Sequence, residues 1–314
     1  MAVYKTSDAV GAREDLSDVI SRIDSDETPI FSNAKKEVTK GVTHDWQVQE
    51  LTAAASNNYA AEGADFSFAN PTATTRLSNV HQVSIQAASV SGTLDAVDVA
   101  GRARESAYVK VIKGLEQRRD IEKSLTIDQA KSASDPRKAA ALPAWMTNVS
   151  KVSPSTTAAG TGADVSDGAG TNAALTLAKI DAAMQAAFED GGQPNIMVVS
   201  PANKVAFSDL SSGSVVTNQL TMTAPKEATI IGGVSVFLTD FGQLNVTIDR
   251  FCANDRIFLL DTDYYSIGHL PGRMFSVSDI APSGDATKFG ITSEWTLIMK
   301  APKASAMIMD LSTS

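Results

Sequence analysis

Two alternating stretches most constrain the fold. "THDWQVQEL" (43–51) and "NVHQVSIQAASV" (79–90) both repeat with period two, the spacing of a strand whose successive side chains point to opposite faces. In the first, His44, Trp46 and Val48 share a face, opposite Asp45, Gln47 and Gln49. In the second, His81, Val83, Ile85 and Ala87 oppose Gln82, Ser84 and Gln86. Residues 52–78 between them are rich in Ala, Asn, Ser and Thr, with Gly63 and Pro71, which suits a loosely ordered tip. The expected object is one long antiparallel hairpin. A two-stranded ribbon is not stable alone in water, so it must lie on another surface. Trp46, Val48, Val83 and Ile85 are the residues with which it would grip that surface.

The stretches around the hairpin have different textures. Residues 1–40 are polar with a few apolar anchors, Ile20, Ile23, Ile30 and Phe31, and Pro29 breaks any helix there; this reads as an arm that packs on something else. Residues 94–131 form the most helical stretch. Ala103, Ala107, Val111, Leu115, Ile121 and Leu125 share one side, while Arg102, Lys110, Lys113, Asp120 and Lys131 lie opposite. An unbroken helix of that length would run about 50 Å. Residues 153–174 are a Gly/Ala/Ser/Thr-rich loop. Beyond it, "TLAKIDAAMQAAFEDGG" predicts a helix with Leu177, Ile180, Met184 and Phe188 on one face, Thr176 as N-cap and Gly191 as stop. "NIMVVS" predicts a buried strand, and "SPANKVAFSDL" a helix capped by Ser200 with Pro201 at its first position. The strands "ATII", "VSVFLTD", "LNVTIDRF" and "RIFLLD" follow, and the closing "SEWTLIMKAPKASAMIMDL" holds two more broken at Pro302. The fold class is α+β.

Composition narrows the function classes. The 314 residues carry a net charge of -9, which argues against whole-surface binding of nucleic acid. The single cysteine, Cys252, cannot form an internal disulfide. No apolar run approaches the roughly 20 residues of a membrane span, and the N-terminus lacks the apolar centre of a signal peptide. A cytoplasmic origin and no membrane partner are expected.

Motifs yield no chemistry. His44 and Asp45 adjoin, but on a strand adjacent side chains diverge, and a catalytic pair needs hydrogen-bond contact. There is no GxSxG elbow. The histidines are His44, His81 and His269; a two-histidine metal site from His44 and His81 is weighed and set below a structural role. "RIFLLD" lacks the phosphate-binding loop that would make it a nucleotide site, and "DTD" at 261–263 lacks the rest of a calcium loop. Cys252 reads as a small buried hydrophobe. No catalytic residue, metal or cofactor is expected. An arm, an unsupported ribbon and a long helix on a compact α+β module point to self-assembly.

The order of these parts resembles the major capsid (major head) proteins of tailed double-stranded-DNA bacteriophages, with the Hong Kong 97-type fold, and most of all their SU-ten-like group. "ETPIFSNAKKEVTKGVTHDWQVQEL", "LTLAKIDAAMQAAFEDGGQPNIMVVSPANKVAFSDL", "IIGGVSVFLTDFGQLNVTIDR" and "EWTLIMKAPKASAMI" carry the resemblance. It implies an N-terminal arm at 1–40 and an extended loop at 41–92. It implies a peripheral domain from 93–174 and 271–314, with a spine helix at about 94–131, and an axial domain at 175–270. It further implies hexamers and pentamers tiling an icosahedral head around DNA, with Arg102, Lys110 and Lys113 facing the lumen. Copies of itself, packaged DNA, portal, scaffolding and cement proteins are the implied partners, and the virion, assembled in the bacterial host cytoplasm, the implied location. The arm begins near Met1, so a separate scaffolding protein is expected. No lysine lies between Lys40 and Lys110, so the covalent crosslinking of the type member is not. An encapsulin-like cage and a soluble hydrolase using His44 or His269 are the alternatives.

Overall fold

The computed structural model describes residues 27–66, 68, 70–97, 99, 101, 103–151, 156–166, 172–213, 236–282 and 284–312. Arg102, most of the arm and the expected strand "ATII" lie outside these residues.

Two sheets organise the chain. The first has five strands: β1 (Lys35–Val38), β4 (Gln82–Ser91), β10 (Tyr265–His269), β11 (Ser276–Ile280) and β12 (Ala286–Met299). The fourteen-residue β12 is its spine. It pairs antiparallel with β4 from Ala286 to Trp295, and also with β11 and then β10. The second sheet has six: β5 (Asn148–Ser150), β6 (Ile196–Val199), β7 (Val236–Thr239), β8 (Gly242–Ile248), β9 (Ile257–Leu260) and β13 (Ala306–Ile308), ordered β5-β13-β9-β6-β8-β7. The remaining strands, β2 (Thr43–Val48) and β3 (Thr75–Val80), form a separate ribbon.

The helices bury what their sequences offer. α4 (Leu177–Glu189) and α5 (Pro201–Gly213) pack on the six-stranded sheet, with Ile180, Met184 and Phe207 against Met197, Val199 and Leu259. Ser200 Oγ accepts the N–H of Asn203 at 3.3 Å, the cap expected there. α3 (Glu105–Thr126) lies across the inner face of β4 and β12. A second core joins its Ile121 and Leu125 to Trp145, Tyr265, Trp295 and Phe258. Because Phe258 and Leu260 come from the six-stranded sheet and Ile267 and Leu297 from the other, this core cements the two.

Three expectations are corrected. The ribbon's returning strand is β3, not 79–90: Trp46 stands opposite Leu77, and Gln82–Ser91 instead joins β12. Two alternating strands separated by the single residue His81 look like one in sequence. The long helix spans 22 residues, not 94–131, or about 33 Å. A separate short helix, α2 (Gly92–Ala96), precedes it. Gly101, with φ 77°, occupies a conformation helices exclude, and the Asp95 carboxylate caps the new start by accepting Ser106 N–H and Oγ–H at 3.0 and 3.1 Å. The expected apolar side of that helix also fails in part, for Val111 is 63% exposed while Gln117 and Glu122 are fully buried. Apart from these, β10 belongs to the five-stranded sheet and β13 to the six-stranded one, so the chain crosses between sheets before 265 and again after 299.

Candidate assembly surface

The ribbon is fixed at its root. β2 alternates as its sequence predicts, with His44, Trp46 and Val48 turned inward. The Trp46 ring lies 5.3 Å from Trp145, which is itself fully buried, and His44 stacks on Trp46 at 5.9 Å. Gly162, at φ 73°, lets the chain pass this wall: a Cβ there would stand 2.8 Å from the Trp145 ring. Asn79 ties β3 down, donating to Leu297 O at 2.7 Å and accepting Ala140 N–H at 2.9 Å. Trp46 and Val48, read as gripping another surface, thus pack on their own chain's core.

The far end is bare. Residues 49–66 and 70–74 contain no helix or strand. Leu51 is 95% exposed, and Tyr59, Phe66 and Phe68 are also almost wholly exposed. Glu50, paired with Lys303 at 2.9 Å, links the start of this segment to the body.

A second bare surface lies on the five-stranded sheet. Its inner face, Ser84, Gln86 and Ala88 with Ile291 and Phe289, meets α3 and the core. The outer face carries Val83, Ile85 and Ala87, with Ile280 beside them across the sheet. Ile85 is 65% exposed and Ile280 about half. Antiparallel sheets usually place polar residues on the wet side. Val83 and Ile85 thus lie on the outer face of β4, opposite Glu294 and Thr292 of β12.

Of the cations expected to face a polyanion, Arg102 lies outside the described residues, and Lys110 and Lys113 are engaged within the chain. Lys110 donates to Asp279 at 3.0 Å and lies over the Phe289 ring, and Lys113 pairs with Glu116 at 2.6 Å.

The chemistry-bearing residues are placed apart. Asp45 points away from His44 and pairs with Arg76. His81 is fully buried, its two ring nitrogens engaged by Thr39 Oγ1 and Val42 O at 2.7 and 2.9 Å; burial holds its pKa below the usual value. Cys252 is buried, which pushes its thiol up to about 12. Among the described residues, no group of three or more His, Cys, Asp or Glu could hold a metal ion, and no helix is long and apolar enough to cross a membrane.

The sequence model of the SU10 major capsid protein family matches residues 3–312. The chain belongs to the SU10 major capsid protein family. A curated relative, the major capsid protein of Escherichia phage Phieco32, is 30% identical over 130 residues. That match spans 41% of this chain and 37% of the relative's length. Among solved structures, the cyanophage A-1(L) capsid subunit superposes with a TM-score of 0.68 at 15% identity, covering 98% of both chains. The SrpI encapsulin of Synechococcus elongatus PCC 7942 gives 0.64 at 9% identity, covering 100% of this chain and 98% of that one. The Mycobacterium phage Ogopogo chain gives 0.61 at 13%, covering 98% of this capsid protein and 100% of that chain. These likenesses are of fold: the α+β capsid fold of the Hong Kong 97 type expected from the sequence is the one this capsid protein has.

Proposed function

We propose that copies of this capsid protein close into hexamers and pentamers, each copy's segment 49–74 lying across a neighbour, to form an icosahedral phage head. One observation carries the reading. Four large apolar side chains, Leu51, Tyr59, Phe66 and Phe68, stand exposed beyond a ribbon rooted in the core. Large apolar side chains of one segment that find no cover within their own chain are candidates for burial on another. Burying one such side chain contributes about 1.5–3 kcal/mol, and repetition around a closed shell turns modest contacts into a durable assembly. Val83 and Ile85, on the outer face of β4, belong to the contact surface in this reading. The chain carries no catalytic role in it.

The packaged double-stranded DNA is held without sequence preference, and Lys110 and Lys113 add little because their charges are already matched. Portal, scaffolding and cement proteins complete the proposed partners, and the head assembles in the bacterial host cytoplasm.

Electron microscopy of the purified protein tests this. Regular shells, capsomers or tubes are expected; a monodisperse monomer at all salt and protein concentrations would overturn it. Removing residues 52–72, which spares β2 and β3, is expected to leave the fold intact and abolish assembly. The encapsulin likeness, nearly as close as the phage one, supports a second reading, a cage for protein cargo. Nucleic acid extracted from shells formed in infected cells favours the head; shells holding only protein favour the cage.

A further inference from the structure

Two arginines share one buried carboxylate on the outer face of the five-stranded sheet. Glu294 of β12 stands opposite Val83 of β4, and directly opposed residues of an antiparallel pair project to the same face. Its side chain is almost wholly covered, and its oxygens accept Arg137 Nη2–H at 3.0 Å and Arg273 Nε–H at 2.5 Å. Both arginines are held by their backbones. Arg273 ends the turn between β10 and β11: its N–H donates to Leu270 O at 3.1 Å and its carbonyl accepts Glu294 N–H at 2.9 Å. Arg137 sits in a loop closed by a pair of hydrogen bonds between Ser132 and Lys138.

One carboxylate between two guanidinium groups leaves one positive charge unmatched, because arginine stays charged at any ordinary pH. The Arg273 side chain is 53% exposed, so its remaining donors face outward. Along the same face follow Val83 and Ile85. A cationic corner beside an apolar row suits a partner that carries carboxylates close to large apolar side chains.

Segment 49–74 has that chemistry. Its charged residues are Glu50, Glu62 and Asp65, with no Lys, Arg or His among them. Glu50 is matched by Lys303. Glu62 and Asp65 are exposed and form no ion pair among the described residues, and Phe66 and Phe68 follow them, also exposed. Fully extended, the chain from Val48 to Glu62 reaches up to about 50 Å, enough to meet a neighbouring molecule.

We propose that Glu62 and Asp65 of one copy dock on Arg273 and Arg137 of a second copy, where Phe66 and Phe68 cover Val83 and Ile85. The inference rests on the reading that segment 49–74 lies across a neighbour, and it names the surface the segment meets. Charge pairs at a rim set register and partner choice more than affinity. The arginines thus fix where along the sheet the tip stops, and the apolar cover supplies the hold.

A double-mutant cycle on assembly of the full chain tests the contact. Arg273→Gln, and separately Glu62→Gln with Asp65→Asn, are each expected to raise several-fold the protein concentration at which shells sediment, with urea midpoints close to wild type. Combined in one chain, the changes are expected to cost no more than the larger effect alone, because groups in contact are not additive. Effects that multiply, or an unaffected tip variant, overturn the proposal; an effect of Arg273→Gln alone assigns the arginine to a different anion. Should Arg273→Gln fail to fold, carbodiimide coupling of Arg273→Lys shells assembled from mixed nitrogen-14 and nitrogen-15 chains decides. Mixed-isotope peptides joining position 273 to residues 62–65 support the docking; coupling to Glu294 alone, or none, overturns it. Wild type that forms no shells removes the capsid reading and the docking together. Shells that are lost on removing 52–72 but kept in the tip variant remove the docking alone.

Discussion

Trp46 lies on the inward face of β2, and its position beside Trp145 makes it the fixing point of the ribbon. The indole N–H of Trp46 has no partner among the described residues, so Trp46→Phe loses no hydrogen bond seen there and is expected to destabilise by less than about 1 kcal/mol. Trp46→Ala opens a gap against Trp145. Trp46 is only partly buried, so the loss is expected near 2 kcal/mol, below the range for a fully buried Trp. Urea unfolding of the two variants measures the difference. At Cys252, a buried thiol pushed up to about 12 holds almost no thiolate at pH 8, and thiolate is the reactive form. Alkylation by iodoacetamide at that pH is expected to follow global unfolding, accelerating in step with urea; rapid labelling of the native chain would contradict this.

At the scale of elements, what could be read from sequence depended on how far away each residue's partners lie. α4, β6 and α5 follow from short-range periodicity and, at Ser200, a local cap; their start at Leu177, apolar run at Ile196–Val199 and Pro201 start match the sequence reading, whereas Thr176 makes no side-chain capping bond and Phe188 is 46% exposed. α3 does not. Its inner face includes Gln117, whose amide donates to Ser84 O at 2.7 Å and to Ile291 O at 3.3 Å, and Glu122, whose oxygens accept the N–H groups of Ile30 and Phe31 in α1 (Pro29–Asn33). Partners 33, 174 and 92 residues distant leave no local trace, so a helical wheel counts these residues as solvent-facing. The start of α3 was hidden for a related reason: its cap is Asp95, eleven residues upstream. The two hydrogen bonds from Ser106, backbone first, hold the Asp95 carboxyl below its ordinary value. The cap is therefore complete above that ordinary value and is lost as pH falls through the lowered one. Asp95→Ala is expected to speed amide exchange at Ser106 without affecting Leu125 at the far end of the helix; equal effects at both ends would show a global cause instead.

For the molecule as a whole, the fold class and family were legible while the surfaces were only half so. Alternation told which side chains share a face. It could not tell that β4 leaves the ribbon, because that depends on the ten-residue pairing with β12, some two hundred residues later. The outward face of β4 yields the sharpest test of assembly at a single position. Ile85 is 65% exposed, so Ile85→Asp is expected to change the stability of the isolated chain by less than about 0.5 kcal/mol and to block shell formation. Sedimentation and urea unfolding on the same preparation separate the two effects. Lost assembly with intact stability is expected; wild-type shells would remove β4 from the contact surface.

The ribbon has a mechanical consequence. Its root is held by Trp46 packed on Trp145, whereas the described residues between β2 and β3 form no ladder of their own. Stiffness is thus graded along one piece of chain, like a strap riveted at one end. Identical tiles on a closed curved surface meet at unequal angles, and a strap of this kind can follow each angle while the body stays unbent. In the proposed shell, the misfit that curvature imposes would fall on the residues between Val48 and Thr75, and the two sheets would be spared it.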